Sequence, residues 1–202
     1  MSLALSTTAE LISGAQGSRV VRERVAAEVI AFKSSGLSRG ADESTFTPRL
    51  DVVIVGDRKD SATYVRMKAK ACEEVGFLHE THALPADVSQ EDLEKLISDL
   101  NANPAVNGIL IQLPLPANLN TVGVIEKISP EKDVDGLHPM NAGLLFRDGI
   151  NAPLIPCTPL GCIELLKQYN ITVAGKNVVV IGRSNLVGKP VSMLLQVRIF
   201  SA

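Results

Sequence analysis

Two runs of strand length, Leu50 to Val55 and Gly108 to Leu113, apolar but for Asp51 and Gln112, constrain this chain more than any other feature. A strand with one face in water alternates apolar and polar residues, whereas a continuous apolar run has to be covered on both faces. Neither run leads into a hairpin turn; each is followed by a stretch patterned as a helix. Strands joined in this way need crossovers, which are right-handed and build a mainly parallel sheet with helices on both sides. The expected fold class is α/β, a three-layer domain with a mainly parallel sheet.

The remaining elements fall into place around these runs. Residues 9–35 are expected to form a helix, with Val21, Val25, Val29 and Phe32 at helical spacing, and the Gly-, Ser- and Thr-rich residues 36–48 a loop. A helix over about 61–75 stops at Gly76, and Phe77 to Leu84 is a second, more polar strand. Ser89 caps a helix over 90–100, with Asp92 favourable in its first turn. Pro114 and Pro116 end the third strand, a short helix covers 119–128, and residues 133–156 form a long irregular stretch. Thr158 and Pro159 are expected as N-cap and first residue of a helix reaching Tyr169. A strand, Val178 to Ile181, a glycine turn and a helix follow. The domain organisation expected is residues 1–155 and, beginning a Rossmann-like unit, residues 156–202.

Composition narrows the function. A 46% hydrophobic content is ample for a core, and 3% aromatic residues with no Trp make that core aliphatic. The net charge of −2 and scattered basic residues leave no footprint for nucleic acid or a membrane surface, and no apolar run approaches a membrane span. Glu10 precedes the first basic residue, Arg19, which argues against a secretory or transit peptide and for a cytoplasmic rather than a mitochondrial protein. Cys72, Cys157 and Cys162 form no disulfide framework, and with His79, His82 and His138 they form no zinc-ligand pattern. Reduced thiols and no metal are expected.

Chemistry concentrates at the ends of the expected strands. Tyr64 and Lys68 are four residues apart on the helix after the first strand, so they share a face where open α/β sheets place ligands. Gln112 ends a buried strand, where a polar side chain needs partners. Asp133 and Asp135, before Gly136, taken by themselves read as a plain turn rather than a binding loop. In the run from Gly182 to Gly188 a tight turn meets a helix N-terminus, the arrangement that cradles phosphate. Its spacing departs from the dinucleotide fingerprint and fits an ordinary turn equally well, until Arg183 and Ser184, both suited to phosphate oxygens, are counted. The second strand of a dinucleotide domain, ending roughly 20 residues after the glycines, is not reached before Ala202.

Taken in order, Tyr64-x3-Lys68, Gly108 to Pro116, Lys132-Asp133-Val134-Asp135-Gly136, Pro156-Cys157-Thr158-Pro159-x-Gly161 and Gly182-Arg183-Ser184-x3-Gly188-x-Pro190 resemble one family. It is the bifunctional methylenetetrahydrofolate dehydrogenase/methenyltetrahydrofolate cyclohydrolase family. The stretch from Val55 to Lys68 looks most like eukaryotic versions, including the front end of C1-tetrahydrofolate synthases. The resemblance implies a folate cleft between two α/β domains, with NADP or NAD on the second and a homodimer in the family. It makes Lys68 the catalytic lysine, Gln112 its hydrogen-bond partner, Tyr64 a wall of the pterin pocket and Asp135 the carboxylate that reads the pterin ring. Gly182, Arg183, Ser184 and Gly188 become the nucleotide contacts, Arg183 suiting NADP. Hydride transfer chiefly needs cofactor and folate held in near-attack geometry, whereas hydrolysis of the methenyl cation needs a group that moves protons. Lys68 is therefore expected to matter more for hydrolysis.

Residues 197–202 depart from the family pattern, and the family's chain continues beyond Ala202. The sequence thus leaves a folate enzyme whose dehydrogenase activity is lost in this chain, against a non-catalytic fragment that binds folate or a partner subunit. A generic nucleotide-binding protein leaves the motifs of the first domain unexplained.

Overall fold

The computed structural model describes residues 11–37 and 47–200. At its centre lies β1 (Arg49–Val55), flanked by β2 (Leu78–Leu84) and β3 (Gly108–Ile111) in a parallel sheet of order β2-β1-β3. The register pairs Arg49 with Leu78 and Leu50 with Gly108. Central β1 is buried from Asp51 to Val55, as its apolar run demands, and edge strand β2 stays polar and partly exposed.

Each face of the sheet has its own core. Val53, Val55, Ile109 and Ile111 pack with Leu93 and Ile97 of α3 (Gln90–Ala102) and Val124 of α4 (Thr121–Lys127). Val52, Ile54 and Leu110 pack on the other side with Val65 of α2 (Lys59–Val75). The caps follow from sequence. Gly76 takes a left-handed φ of 83° and Phe77 N–H bonds back to Cys72 O, closing α2, while Ser89 Oγ accepts from Asp92 N–H at 3.0 Å.

A further helix, α1 (Gly14–Leu37), lies across α2 and reaches α6 (Cys157–Gln168). Arg22 pairs with Glu74 at 2.7 Å, and Ser13 N–H donates to the Tyr169 hydroxyl at 2.8 Å. Contact with α6 is close: a Cβ on Gly17 would sit 2.7 Å from Leu165 Cδ2. The start expected for this helix, at residues 9–10, and most of the expected loop lie outside the described residues.

Three expectations need correcting. The irregular stretch 133–156 contains a helix, α5 (Pro139–Asp148), and a 3-10 turn, Gly149–Asn151. His138 Nδ1 accepts from Met140 N–H at 3.0 Å and Pro139 opens the first turn, so cap and proline start a helix that the local Asn and Gly content disguises. Second, α6 begins at Cys157, ahead of the expected Thr158 cap. Pro159 sits in its first turn, where the missing N–H has no intrahelical partner to lose. Third, residues 178–181 form no strand. A strand is stabilised by its ladder, and none of the three strands of the sheet pairs with this segment; Val179 is 85% and Ile181 99% exposed. The turn and the following helix, α7 (Gly188–Phe200), do form, and Leu194 and Leu195 join Leu145 and Ile163 in a separate core. Among the described residues no helix is long and apolar enough to cross a membrane.

Candidate active site

At the carboxyl end of β1, Gly56 (φ 82°) turns the chain into α2, whose exposed face carries Tyr64 and Lys68. The next strand end supplies Gln112. Its backbone N–H donates to Val53 O at 2.8 Å and its side-chain amide donates to Leu113 O at 2.9 Å. The first bond fixes the backbone and the second the side chain, leaving Oε1 to accept from Lys68 Nζ at 3.0 Å. A buried strand end therefore has its polar group satisfied across the cleft, and the lysine is held in one direction.

Asp135 enters from a loop braced at both ends. Lys132 Nζ donates to the carbonyls of Leu100, Asn101 and Asn103 at 3.1, 2.8 and 2.8 Å, closing the C-terminal end of α3. Asp133 Oδ2 accepts from His138 N–H and from Asn141 Nδ2, each at 2.8 Å. Gly136 is left-handed (φ 62°), and a Cβ there would sit 2.9 Å from Pro156 N. The result is a cavity of about 450 Å³ that brings together Tyr64, Lys68, Gln112 and Asp135 with Cys157 and Thr158. Tyr64 is at the rim, 60% exposed, with its ring open to a ligand.

Electrostatics distinguish the two acidic groups at the back. Burial raises the Asp135 carboxyl above the usual carboxylate range; Lys68 opposes that shift and Asp133 adds to it. The Cys157 thiol is open to solvent, yet crowding by the cleft wall, and then the Asp135 carboxylate, push it up to about 11. Its Sγ lies 3.5 Å from Val134 O. A cleft holding a directed amine, a carboxyl reluctant to ionise and an aromatic rim suits a planar, nitrogen-rich ligand that needs both donors and acceptors.

The glycine turn lines a second cavity, of about 660 Å³, through Gly182, Arg183, Gly188 and Lys189. Gly182 adopts φ 138°, and a Cβ on Gly188 would sit 2.5 Å from Gly182 O, so the turn closes only with glycine at that place. Ser184 lines neither of these two cavities. Its Oγ accepts from Val187 N–H and Gly188 N–H at 3.1 and 3.3 Å, so two donors expected to face phosphate are already engaged by the serine. Arg183 and Lys189 are the cations facing the space, which fits the phosphates of a nucleotide. Leu137, Pro156 and Leu186 line both cavities, so the two adjoin.

Sequence reasoning placed Cys157 in the Pro156 to Gly161 motif without a role in the cleft, and it missed Asn141 as the partner of Asp133, a contact that no local spacing encodes. It also missed a cluster on the sheet. Asp51, Glu80 and His82 place ligand atoms within 4.8 Å of one another. Arg49, however, bonds both Asp51 and Glu80, and His82 Nε2 lies 2.8 Å from Asp51, so an arginine supplies the positive charge there.

Comparison with known proteins gives the arrangement its context. Residues 12–135 match the tetrahydrofolate dehydrogenase/cyclohydrolase catalytic domain, and residues 156–200 match the NAD(P)-binding domain of the same family. The bifunctional protein FolD of Brevibacillus brevis is 49% identical over 188 residues, which are 93% of this chain and 62% of that protein. The chloroplastic FolD 4 of Arabidopsis thaliana is 46% identical over 92% of this chain and 49% of its own length. The chain thus spans less than two thirds of these relatives. Among solved structures, FolD of Trypanosoma brucei, complexed with NADP cofactor and inhibitor, superposes with a TM-score of 0.85 at 38% identity, covering 94% of this chain and 62% of that one. The Campylobacter jejuni enzyme gives 0.81 at 39% identity, covering 94% and 64%. By its sequence match along most of its length and by its fold, the chain belongs to the tetrahydrofolate dehydrogenase/cyclohydrolase family.

Proposed function

We propose that the cleft beside Lys68 binds a tetrahydrofolate derivative and hydrolyses its 5,10-methenyl form, and that the adjoining cavity takes the nucleotide of NADP or NAD for oxidation of the 5,10-methylene form. The observation that carries the reading is the Lys68–Gln112 bond of 3.0 Å inside a cavity that also holds Tyr64 and Asp135. Water attacking the methenyl carbon must lose a proton as the carbon–oxygen bond forms, and Lys68, aimed by the fixed Gln112 carbonyl, accepts it. The same amine returns a proton to the ring nitrogen as the carbon–nitrogen bond breaks, giving the formyl product. Tyr64 supplies a stacking face, and the Asp135 carboxyl pairs with the polar edge of the pterin. Arg183 and Lys189 would hold the nucleotide phosphates; the nicotinamide, when bound, supplies the hydride acceptor.

A second reading, folate binding without turnover, draws on the exposed and unpaired segment 178–181, which leaves the nucleotide half without a sheet among the described residues. Nucleotide-free hydrolysis of methenyltetrahydrofolate by the 202-residue chain, beside Lys68→Met, separates the two. The first reading expects a rate above buffer that falls about 10²- to 10⁴-fold in the variant. Equal rates from two chains shown to be folded by circular dichroism would leave binding alone.

A further inference from the structure

Asp133 is an oddity that the reaction does not use. Its carboxyl is 1% exposed, yet no described cation pairs with it. Its partners are neutral donors, the His138 N–H and the Asn141 amide, and both converge on the single oxygen Oδ2. Asn141 is itself 3% exposed and spends its other bond on Pro130 O at 2.8 Å. A buried polar pair of this kind costs desolvation, which its bonds have to offset by fixing something.

What the pair fixes is the path of the chain through residues 130–141. Asn141, on α5, ties that helix to both Pro130 and Asp133, while Ile109 N–H donates to Lys132 O at 2.7 Å and so pins the loop to the end of the sheet. Two residues beyond Asp133, Asp135 turns toward Lys68 and Cys157, and Gly136 then passes against Pro156 with no room for a side chain. We infer that Asp133 and Asn141 are positioning residues, a buried brace that holds the Asp135 carboxylate in the cleft opposite Lys68. The folate part of this inference rests on the function proposed above; the brace itself does not.

Cys157 makes the brace measurable without folate. Though open to solvent, its thiol is held high by crowding from the cleft wall, then by Asp135, with Lys68 opposing and Asp133 adding a smaller push. If Asp135 leaves the cleft, the thiolate fraction at Cys157 rises and alkylation speeds up. Cys72 is buried, so a Cys162→Ser background leaves Cys157 as the open thiol among the three.

The design turns on the geometry of Oδ2. Asp133→Asn with its amide oxygen at that position keeps both bonds and removes the charge; Asn141→Ala and Asn141→Ser remove the tie. In the Cys162→Ser background, the rate of Cys157 alkylation by iodoacetamide is followed from pH 7 to 9, and binding of 5-formyltetrahydrofolate by calorimetry. Both Asn141 variants are expected to speed alkylation about tenfold or more, following the thiolate fraction, and to weaken folate binding by a similar factor. Asp133→Asn is expected to stay within about threefold of its parent in binding, with only a small acceleration of alkylation. Folded Asn141 variants with unchanged Cys157 profiles would overturn the brace. So would an Asp133→Asn chain that matches them, since charge and not tethering would then be at work. Absence of folate binding in the parent, with the alkylation changes intact, would strike down the folate reading and leave the brace standing.

Discussion

Asp135 is a residue that the fold tolerates at a cost. Its carboxyl is raised by burial, so ionising it is harder in the native state than in the unfolded chain. The sign follows: its favourable share of stability is complete below the unfolded value and is lost as pH rises through the folded one. Asp135→Asn should therefore raise the melting temperature at pH 7 and confer no gain at pH 3, while weakening folate binding; thermal melts at both pH values check this. Asp51 shows the opposite balance. Burial works against its charge, but hydrogen bonds from Arg49 and then His82 outweigh it and hold the carboxyl below its ordinary value. Asp51→Ala leaves the arginine and histidine without their shared partner and should cost about 3 kcal/mol in urea denaturation. Residues of the first kind are legible in sequence when a short-range pattern carries them. Tyr64 and Lys68 are such a pair, because four residues on a helix is a contact in itself. Asp51 with His82 and Asp133 with Asn141 meet through tertiary packing, and no local pattern encodes them.

The elements divide by how locally their ends are specified. Gly76 stops α2 in a left-handed conformation, and Gly76→Ala should cost about 1 kcal/mol, measured as a shift in denaturation midpoint with unchanged far-ultraviolet circular dichroism. Gly188 is dictated by contact instead: a side chain there meets Gly182 O, so Gly188→Ala should cost about 1–3 kcal/mol through displacement of the turn. Gly76, Ser89 and the prolines after β3 could be read from sequence because a cap or a stop acts within a few residues. β1 was readable because burial on both faces leaves the apolar stretch Val52 to Val55. By contrast α5, seated on Leu145, hides among Gly and Asn, and the expected strand 178–181 needs neighbours that no local signal supplies.

Across the molecule, α1 is the long-range connector. It meets α2 through Arg22 and Glu74 and meets α6 through Gly17, Gln168 and Tyr169, so it links the helix bearing Lys68 to the helix bearing Cys157. Enlarging its thinnest point, Gly17→Val, should cost about 1–3 kcal/mol and change the separation of the two cleft walls. Calorimetric titration with 5-formyltetrahydrofolate should then show weaker binding at unchanged helix content.

Leu137, Pro156 and Leu186 line both cavities, so if folate and nucleotide occupy them as proposed, this shared lining gives the two ligands a means of coupling. Whatever fills one side sets the position of side chains that the other side must meet. By linkage, the factor by which nucleotide changes affinity for folate equals the factor by which folate changes affinity for nucleotide. Under the proposed occupancy, this common wall of Leu137, Pro156 and Leu186 leaves the final occupancy independent of the order of addition, while the affinity for each reagent depends on the presence of the other.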